Sequence, residues 1–358
     1  MIQRYPPTTD RSLTVFNAAD RLLIDWAAAL PDRPETMAVF HDRFGAVALS
    51  LPGSVHFVST YHSQETALRL NAGNRSLPLA NLLEEFTEPI EAAVLRVPKS
   101  LDLFELYLTR IAAAATPTTR VAGGFMTRHF TPRMLEVAGR YAGVVKQSRA
   151  EKKARLLLLE DFKVGAGAQV PMNAVEYAGK RYRQLPGVFS AGHIDYATDF
   201  LLQHWPDIPE PATITDLACG NGIIGDQLLQ RYPDSRLVAT DDSILSVASA
   251  RTNLPSDRST VFYAHTLKDL PDGSQDLVVT NPPFHFGHEN NIDVSLALFR
   301  EAREKLRSDG ILVVVANRHL HYATHLRKWY AQVESAEEND KYVVYCCRKS
   351  DGGRPDTT

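Results

Sequence analysis

The sequence is poor in cysteine, with three in 358 residues. That is too few for a disulfide framework, which excludes the stapled secreted scaffolds and fits a reducing cytoplasm. Cys346 and Cys347 are adjacent on a strand-like run, so they should point to opposite faces, and Cys219 lies in a glycine loop where a small side chain suffices. No stretch reaches the roughly 20 apolar residues of a membrane span, and the start Met1-Ile2-Gln3-Arg4-Tyr5-Pro6-Pro7 has no apolar leader core. The chain also lacks an excess of charge: the formal net value is −3, which argues against coating nucleic acid through bulk electrostatics. One local basic run stands out, Lys146-Gln-Ser-Arg149-Ala-Glu-Lys152-Lys153-Ala-Arg155. It could meet several phosphates or be only a solvated helix face or linker. Glycine and proline, at 20 and 21, are near ordinary usage for a globular protein.

The length exceeds what one core usually organises, so two domains are expected. Two stretches alternate strand-like runs with amphipathic helices, the pattern of α/β units on a parallel sheet. The expected boundaries are a first domain over 1–163, a linker and hairpin over 164–184 turning at Ala178-Gly179, and a second domain over 185–358. In the second domain, strands are expected at Ile214–Leu217, Arg236–Thr240, Val261–Ala264, Asp276–Thr280 and Ile311–Ala316. The helix Asp293–Arg307 is expected to close at Ser308-Asp309-Gly310, and another lies near Leu320–Tyr330. Gln332–Ala336 and Lys341–Cys347 flank Glu337-Glu338-Asn339-Asp340 as a terminal antiparallel hairpin.

The first half reads as a worn copy of the second. Val58-Ser-Thr60-Tyr61-His62-Ser63 parallels Val238-Ala-Thr240-Asp241-Asp242-Ser243; Ser100-Leu-Asp-Leu-Phe104 parallels Ser295-Leu-Ala-Leu-Phe299; Thr127-Arg-His-Phe130 parallels Asn317-Arg-His-Leu320. The order is kept and the offsets are similar. On this matching Tyr61 stands where the second copy has Asp241, His41-Asp-Arg-Phe-Gly45 faces the glycine loop, and Val97-Pro-Lys99 faces Asn281-Pro-Pro283. The fold expected is therefore two tandem Rossmann-like α/β domains, each a doubly wound, mostly parallel sheet, with the first copy degenerate.

Chemistry concentrates in the second copy. Asp216-Leu-Ala-Cys-Gly220-Asn221-Gly222-Ile-Ile-Gly225 follows a strand and opens a helix, and Asp241 ends the next strand, where a carboxylate can accept hydrogen bonds from a ribose. Read literally, the glycines spell a dinucleotide fingerprint, so a nicotinamide dehydrogenase competes. Asp216 favours a different adenosine cofactor: its carboxylate would repel a pyrophosphate but suits the cationic methionine part of S-adenosylmethionine. Asn281-Pro282-Pro283-Phe284 follows a strand at the same sheet edge. An amino group conjugated to an aromatic ring is a poor nucleophile, and the Asn281 oxygen with the Pro282 carbonyl can turn its lone pair toward a methyl donor. The prolines fix the backbone, and Phe284 offers a stacking face. The same Asn-Pro can be a mere turn. The pairs His285/His288 and His321/His325 lack further ligands, so no metal is expected. His285, His288 and Arg318 are placed on the substrate side.

At these motifs the sequence resembles the RlmG and RsmC family of bacterial methyltransferases acting on guanine N2 in ribosomal RNA. The resemblance runs almost end to end through His41-Asp-Arg-Phe-Gly45, Arg96-Val-Pro-Lys-Ser100, Pro186-Gly-Val-Phe-Ser190-Ala-Gly-His-Ile-Asp195, the cofactor motifs and Asn281-Pro-Pro-Phe-His285. It implies a cofactor-free first domain assisting RNA recognition, and it implies Phe189, Ser190 and Gly192 over the cofactor. Ala316-Asn-Arg-His-Leu320 and His288 are more similar to the RlmG branch, which acts on 23S RNA, than to the 16S branch. Phe286-Gly287 and the helix after Asp241-Asp242 depart from that branch. The expected protein is a cytoplasmic monomer without metal. Phe189, Ser190, Gly192, Asp216, Gly220, Gly222, Asp241 and His265 would hold S-adenosylmethionine, Asn281, Pro282, Pro283 and Phe284 would catalyse, and Lys152, Lys153 and Arg155 would touch RNA. Methylation of adenine N6 or a protein glutamine, a 16S target, and an RNA-binding assembly factor with vestigial chemistry are the alternatives.

Overall fold

The computed structural model describes residues 2–7, 14–31, 34–163, 172–190, 192–283, 285–286, 289–290 and 292–349. The chain divides into two compact units, Met1–Pro171 and Met172–Thr358. Among the described residues no helix is long and apolar enough to cross a membrane.

The first unit runs α1 (Ala18–Ala28), β1 (Met37–Phe40), α2 (Ala46–Ser50), β2 (Val55–Ser59), α3 (His62–Ala72), β3 (Leu79–Asn81), β4 (Ile90–Arg96), α4 (Leu101–Ala114), β5 (Ala115–Met126), α5 (Pro132–Tyr141), β6 (Ala142–Gln147) and β7 (Ala154–Phe162). Its sheet has the order β3-β2-β1-β4-β5-β7-β6. The first five strands are parallel, and β7 runs antiparallel to both neighbours.

The second unit opens with the hairpin β8 (Asn173–Tyr177) and β9 (Lys180–Gln184). It continues with α6 (Tyr196–Gln203), β10 (Thr213–Leu217), α7 (Ile223–Arg231), β11 (Arg236–Asp241), α8 (Ile244–Asn253), β12 (Ser259–Tyr263) and β13 (Gln275–Thr280). The ribbon β14 (His285–Phe286) and β15 (Glu289–Asn290) precedes α9 (Ile292–Lys305), β16 (Leu306–Asn317), α10 (Ala323–Leu326), β17 (Gln332–Glu338) and β18 (Tyr342–Arg348). The main sheet order is β12-β11-β10-β13-β16-β18-β17, the topology of the first unit repeated strand for strand.

Both faces of the second sheet are covered, which is why its central strands read as unbroken apolar runs. Along β16, Ile311, Val313 and Val315 enter the core under α6, α7 and α8, and Leu312, Val314 and Ala316 enter the core under α9 and α10. Cys346 and Cys347 divide between the same two cores, as strand alternation requires.

Three sequence expectations change. The helix expected to reach Arg307 ends at Lys305, and the chain is extended from Leu306, which is buried and pairs with Gln275 before a bulge. Burying Leu306 against the sheet overrides helix propensity there. The helix expected near Leu320–Tyr330 is a 3-10 turn, Arg318–Leu320, then the short α10; His321 adopts a left-handed backbone (φ 49°) between them. The hairpin expected within 164–184 forms and turns at Ala178-Gly179, but it belongs to the second unit and not to a linker: Tyr182 Oη and Lys180 Nζ donate to the two oxygens of Asp226 on α7 at 2.6 and 2.7 Å. Residues 164–171 lie outside the described residues.

The duplication stands, but in a different register from the matched phrases. In both units a left-handed residue follows the first strand (His41, φ 56°; Ala218, φ 60°), and a left-handed glycine caps the next helix (Gly45, φ 71°; Gly222, φ 83°). Val39, a core residue, therefore stands in the place of Asp216. Tyr61 and Ser243 are the corresponding helix caps, so Ser59, not Tyr61, answers to Asp241. Leu95 and Thr280 both pair with the last residue of the central strand, which aligns Arg96, not Val97, with Asn281. The equal-length α4 and α9 put Phe104, not Ser100, opposite Ser295, one helical turn from the phrase match.

Candidate functional site

The strand order reverses its winding between β10 and β13, and the crevice at their carboxyl ends is where open α/β sheets bind ligands. From β10 come Asp216 and the turn 218–222. Asp216 is fully buried, and one oxygen, Oδ2, accepts the Gly225 N–H at 2.9 Å. The other, Oδ1, is buried with no hydrogen-bond partner among the described residues. Burial, then the nearby Asp241 carboxylate, pushes the Asp216 pKa up to about 7. An unpaired buried carboxylate oxygen is costly unless a cation or donor completes it.

The glycines have distinct tasks. A Cβ on Gly225 would lie 2.6 Å from Leu237 Cδ2 and 3.1 Å from Asp216 Oδ2, so this glycine lets helix and strand approach. Gly222 is left-handed against Leu254. Gly220 (φ 56°) faces open space, with nothing within 4 Å of where its Cβ would stand, as suits a backbone that a ligand approaches.

Asp241 ends β11 partly buried, its Oδ2 accepting the Gly220 N–H at 2.9 Å and its Oδ1 the Ser243 N–H at 2.8 Å. Each oxygen keeps a lone pair for further donors. Burial raises its pKa to about 6 against those hydrogen bonds. The Ala264 N–H donates to Asp241 O at 3.0 Å, which carries His265 to the same sheet edge.

Asn281 follows β13, where Thr280 Oγ1 donates to Leu217 O at 2.7 Å and ties the strand to the glycine loop. Its Nδ2 donates to Asp195 Oδ2 at 2.8 Å and to Thr198 Oγ1 at 3.0 Å. Its Oδ1 is buried without a hydrogen-bond partner among the described residues. Pro282 is buried; Pro283 is exposed, and its carbonyl accepts the Ser295 hydroxyl at 3.1 Å. Phe284 and His288 lie outside the described residues, and His285 is placed only as a residue of β14.

Phe189 is 65% exposed. Beside it Ser190 is left-handed (φ 59°), its hydroxyl donating to His193 O at 2.9 Å, and Gly192 (φ 92°) faces open space. A residue missed in the sequence joins this loop to the glycine turn 218–222. Gln184, fully buried at the end of β9, accepts from Asn221 Nδ2 at 2.9 Å and donates to Ser190 O at 3.3 Å. Asn253 on α8 completes the brace, donating to the carbonyls of Arg183 and Asn221. The alternation Tyr182/Gln184 on the hairpin was the available signal that Gln184 faces inward.

Arg318, first residue of the 3-10 turn after β16, donates to Asn339 O at 3.1 Å and is half exposed. In the first unit the basic run is neither helix nor linker but the β6–β7 hairpin. Lys152 and Lys153 are exposed in its left-handed turn (φ 46° and 64°), whereas Arg155 is partly buried and donates to Gln147 Oε1 at 3.2 Å. Among the described residues no group of three or more His, Cys, Asp or Glu could hold a metal ion.

The first unit fills the corresponding place with structure. Arg96 pairs with Asp20 of α1 at 3.1 Å. Tyr107 Oη bonds both His41 Nδ1 and Thr60 Oγ1 at 2.8 Å, and Asp42 spends its carboxylate on the N–H groups of Phe44, Ala46 and Ala48.

Residues 180–346 match the methyltransferase small domain family, and residues 1–163 match the RLMG N-terminal domain family. In fold the chain is similar to the T. thermophilus 16S rRNA N2 guanine methyltransferase RsmC, a structure containing AdoMet and guanosine. The TM-score is 0.78 at 22% identity, over 93% of this chain and 92% of that one. Among curated proteins it is similar to the ribosomal RNA large subunit methyltransferase G of a Shewanella strain, at 29% identity over 97% of this chain and 96% of that protein. The proteins of that name from Streptomyces coelicolor and Pseudomonas putida are 32% and 31% identical, over 96% and 97% of this chain and 96% of each relative. Relatives above 30% identity that align from end to end, on a fold duplicated in the same order, place the chain in the ribosomal RNA large subunit methyltransferase G family.

Proposed function

We propose that this chain transfers the methyl group of S-adenosylmethionine to the exocyclic N2 amino group of a guanine in 23S ribosomal RNA, a substrate that places the reaction in the cytoplasm. The observation that carries the reading is the Asn281 carboxamide. Its NH2 end is held by Asp195 and Thr198, and its buried oxygen has no partner among the described residues. That oxygen is a ready acceptor for an N–H of the guanine amino group, and accepting it turns the nitrogen lone pair outward. S-adenosylmethionine, when bound, supplies a methyl group on a positively charged sulfur, an electrophile that needs no metal. The residues fit it: the unpaired Asp216 Oδ1 suits a cationic ligand, Asp241 has lone pairs for ribose hydroxyls, and Gly220 leaves its backbone open. Positioning of this kind can supply roughly 7–11 kcal/mol of rate enhancement. A guanine must leave its stack to reach Asn281, at a cost of a few kcal/mol that is least in unpaired RNA.

The test is mass mapping of 23S RNA from a strain lacking this protein. One N2-methylguanine should vanish and return with the wild-type chain but not with Asn281→Ala. An unchanged methylation map would overturn the reading.

Cofactor affinity should depend on pH. Asp216 and Asp241 have pKa values of about 7 and about 6, so both are largely ionised only above pH 7, and binding of the cation should weaken as pH falls from 8 to 6. In the unliganded protein the sign is opposite. Each group binds its proton more tightly folded than unfolded, so its contribution to the folded state is full below the ordinary carboxylate value and is lost as pH rises from there through the folded pKa. The thermal shift produced by S-adenosylmethionine should therefore grow from pH 6 to pH 8. A shift that is flat with pH would remove Asp216 from the cofactor's surroundings.

The exposed Lys152 and Lys153 turn supports a role for the first unit in holding RNA phosphates. Replacing both with Gln should weaken RNA binding and reduce its salt dependence by roughly 0.7–0.9 in slope for each phosphate no longer neutralised, with the maximal methylation rate preserved. An unchanged salt slope would mean that RNA is held elsewhere on the chain.

A further inference from the structure

We infer that Asp195 and Thr198 are positioning residues that lock the Asn281 carboxamide in the one orientation useful for transfer, a conclusion that rests on the amino-acceptor reading above. The two ends of a carboxamide are nearly equal in size, so an unrestrained Asn281 could turn over and present its NH2 to the guanine amino group, donor against donor. An ionised carboxylate only accepts hydrogen bonds. Whatever end of Asn281 faces Asp195 must therefore be the NH2, and the oxygen is forced to the other side, where it stands without a partner among the described residues.

The lock is itself held still. Asp195 is the N-cap of α6, and the oxygen that receives Asn281 also accepts the N–H groups of Ala197 and Thr198, each at 3.0 Å. Thr198 is 6% exposed, so its hydroxyl, 3.0 Å from Asn281 Nδ2, has little freedom to leave. A helix start packed before the central strand thus fixes a side chain that follows β13, 86 residues away in sequence.

The first unit carries the same device around a different residue. Arg96 stands in the place of Asn281, and Asp20, third residue of α1 as Thr198 is third of α6, pairs with it at 3.1 Å. Arginine has no acceptor. Both copies keep a helix start that grips the residue at the carboxyl end of the fourth strand, and the group gripped in the second copy has an oxygen without a partner among the described residues.

The test compares Asp195→Ser, Thr198→Val, their double variant, Asp195→Asn and Asn281→Ala in the full chain. The readouts are single-turnover methyl transfer at saturating RNA and S-adenosylmethionine, cofactor Kd, RNA Kd and thermal midpoint. Serine caps helices about as well as aspartate, but its hydroxyl is one bond nearer the backbone and cannot also hold Asn281. Asp195→Ser should therefore keep its thermal midpoint and both Kd values while transfer slows about tenfold, the scale of one charge-assisted hydrogen bond. The double variant should approach Asn281→Ala. Asp195→Asn retains an accepting oxygen and should recover most of the rate lost in Asp195→Ser, a difference that helix capping, which both residues serve, or a need for charge would not produce. A double variant at wild-type rate beside a slow Asn281→Ala would overturn the lock alone, as would Asp195→Asn as slow as Asp195→Ser. A fast Asn281→Ala would instead overturn the amino-acceptor reading and the lock with it.

Discussion

Asn281→Ala is expected to bind S-adenosylmethionine and RNA with nearly wild-type affinity and to methylate on the order of 10²–10³-fold more slowly, the scale on which removing one preorganised polar group at a reacting centre is felt. The substitution removes an amide whose NH2 contacts only Asp195 and Thr198 in the described structure and whose oxygen contacts nothing there. The folded state should therefore lose little besides those two hydrogen bonds, and Asp195 keeps its role as helix cap. The cofactor turn is built from β10 and β11, so its affinity has no reason to change. Rapid-quench transfer assays beside calorimetric cofactor titrations separate the two. A variant that binds and reacts normally would show that the guanine amino group is oriented by something else.

The second large effect belongs to Asp241. Asp241→Ala should weaken S-adenosylmethionine on the order of 10²-fold, because hydrogen bonds from hydroxyls to a carboxylate are worth about 1.5–3 kcal/mol each. The loss is compounded because Asp241 also anchors the Gly220 and Ser243 N–H groups. Its counterpart in the first unit is Ser59, whose hydroxyl is fully buried and donates to Glu65 at 2.8 Å. Ser59→Ala should leave cofactor affinity unchanged by isothermal titration. Equal losses in both variants would mean that the first unit is not a worn copy.

How far the sequence could be read depended on the kind of signal. The glycine turn was legible because a strand, clustered glycines and a helix start form one local unit, and the structure brings Asp216, Gly220 and Asp241 to the same sheet edge as Asn281. The repeat was legible as a fact and wrong in register. Apolar phrases on strands match equally well two residues out, and on helices about four out, because those are the periods at which the same face recurs. Tyr61 was thus set against Asp241 two residues from its true partner, and Ser100 against Ser295 one turn away. Arg155 was grouped with Lys152 and Lys153 because charge in a run looks uniform, while the hairpin turns the lysines out and ties the arginine to Gln147.

By itself the sequence determined the class of the protein: two α/β halves, the second with a carboxylate at the end of each of two successive strands and an Asn-Pro-Pro corner after another. These are properties of short segments whose local patterning and turn chemistry agree. Only the tertiary structure decided what each side chain faces. It buries one oxygen of Asp216 without a partner among the described residues, threads Gln184 between the Ser190 and Asn221 loops, and sets Asp195 against Asn281. Gln184 meets Asn221 and Asp195 meets Asn281 across 37 and 86 positions of chain, through hydrogen bonds of 2.9 and 2.8 Å. They exist only after the sheet has closed in its order, because polar groups carried into the interior must find partners wherever packing has put them.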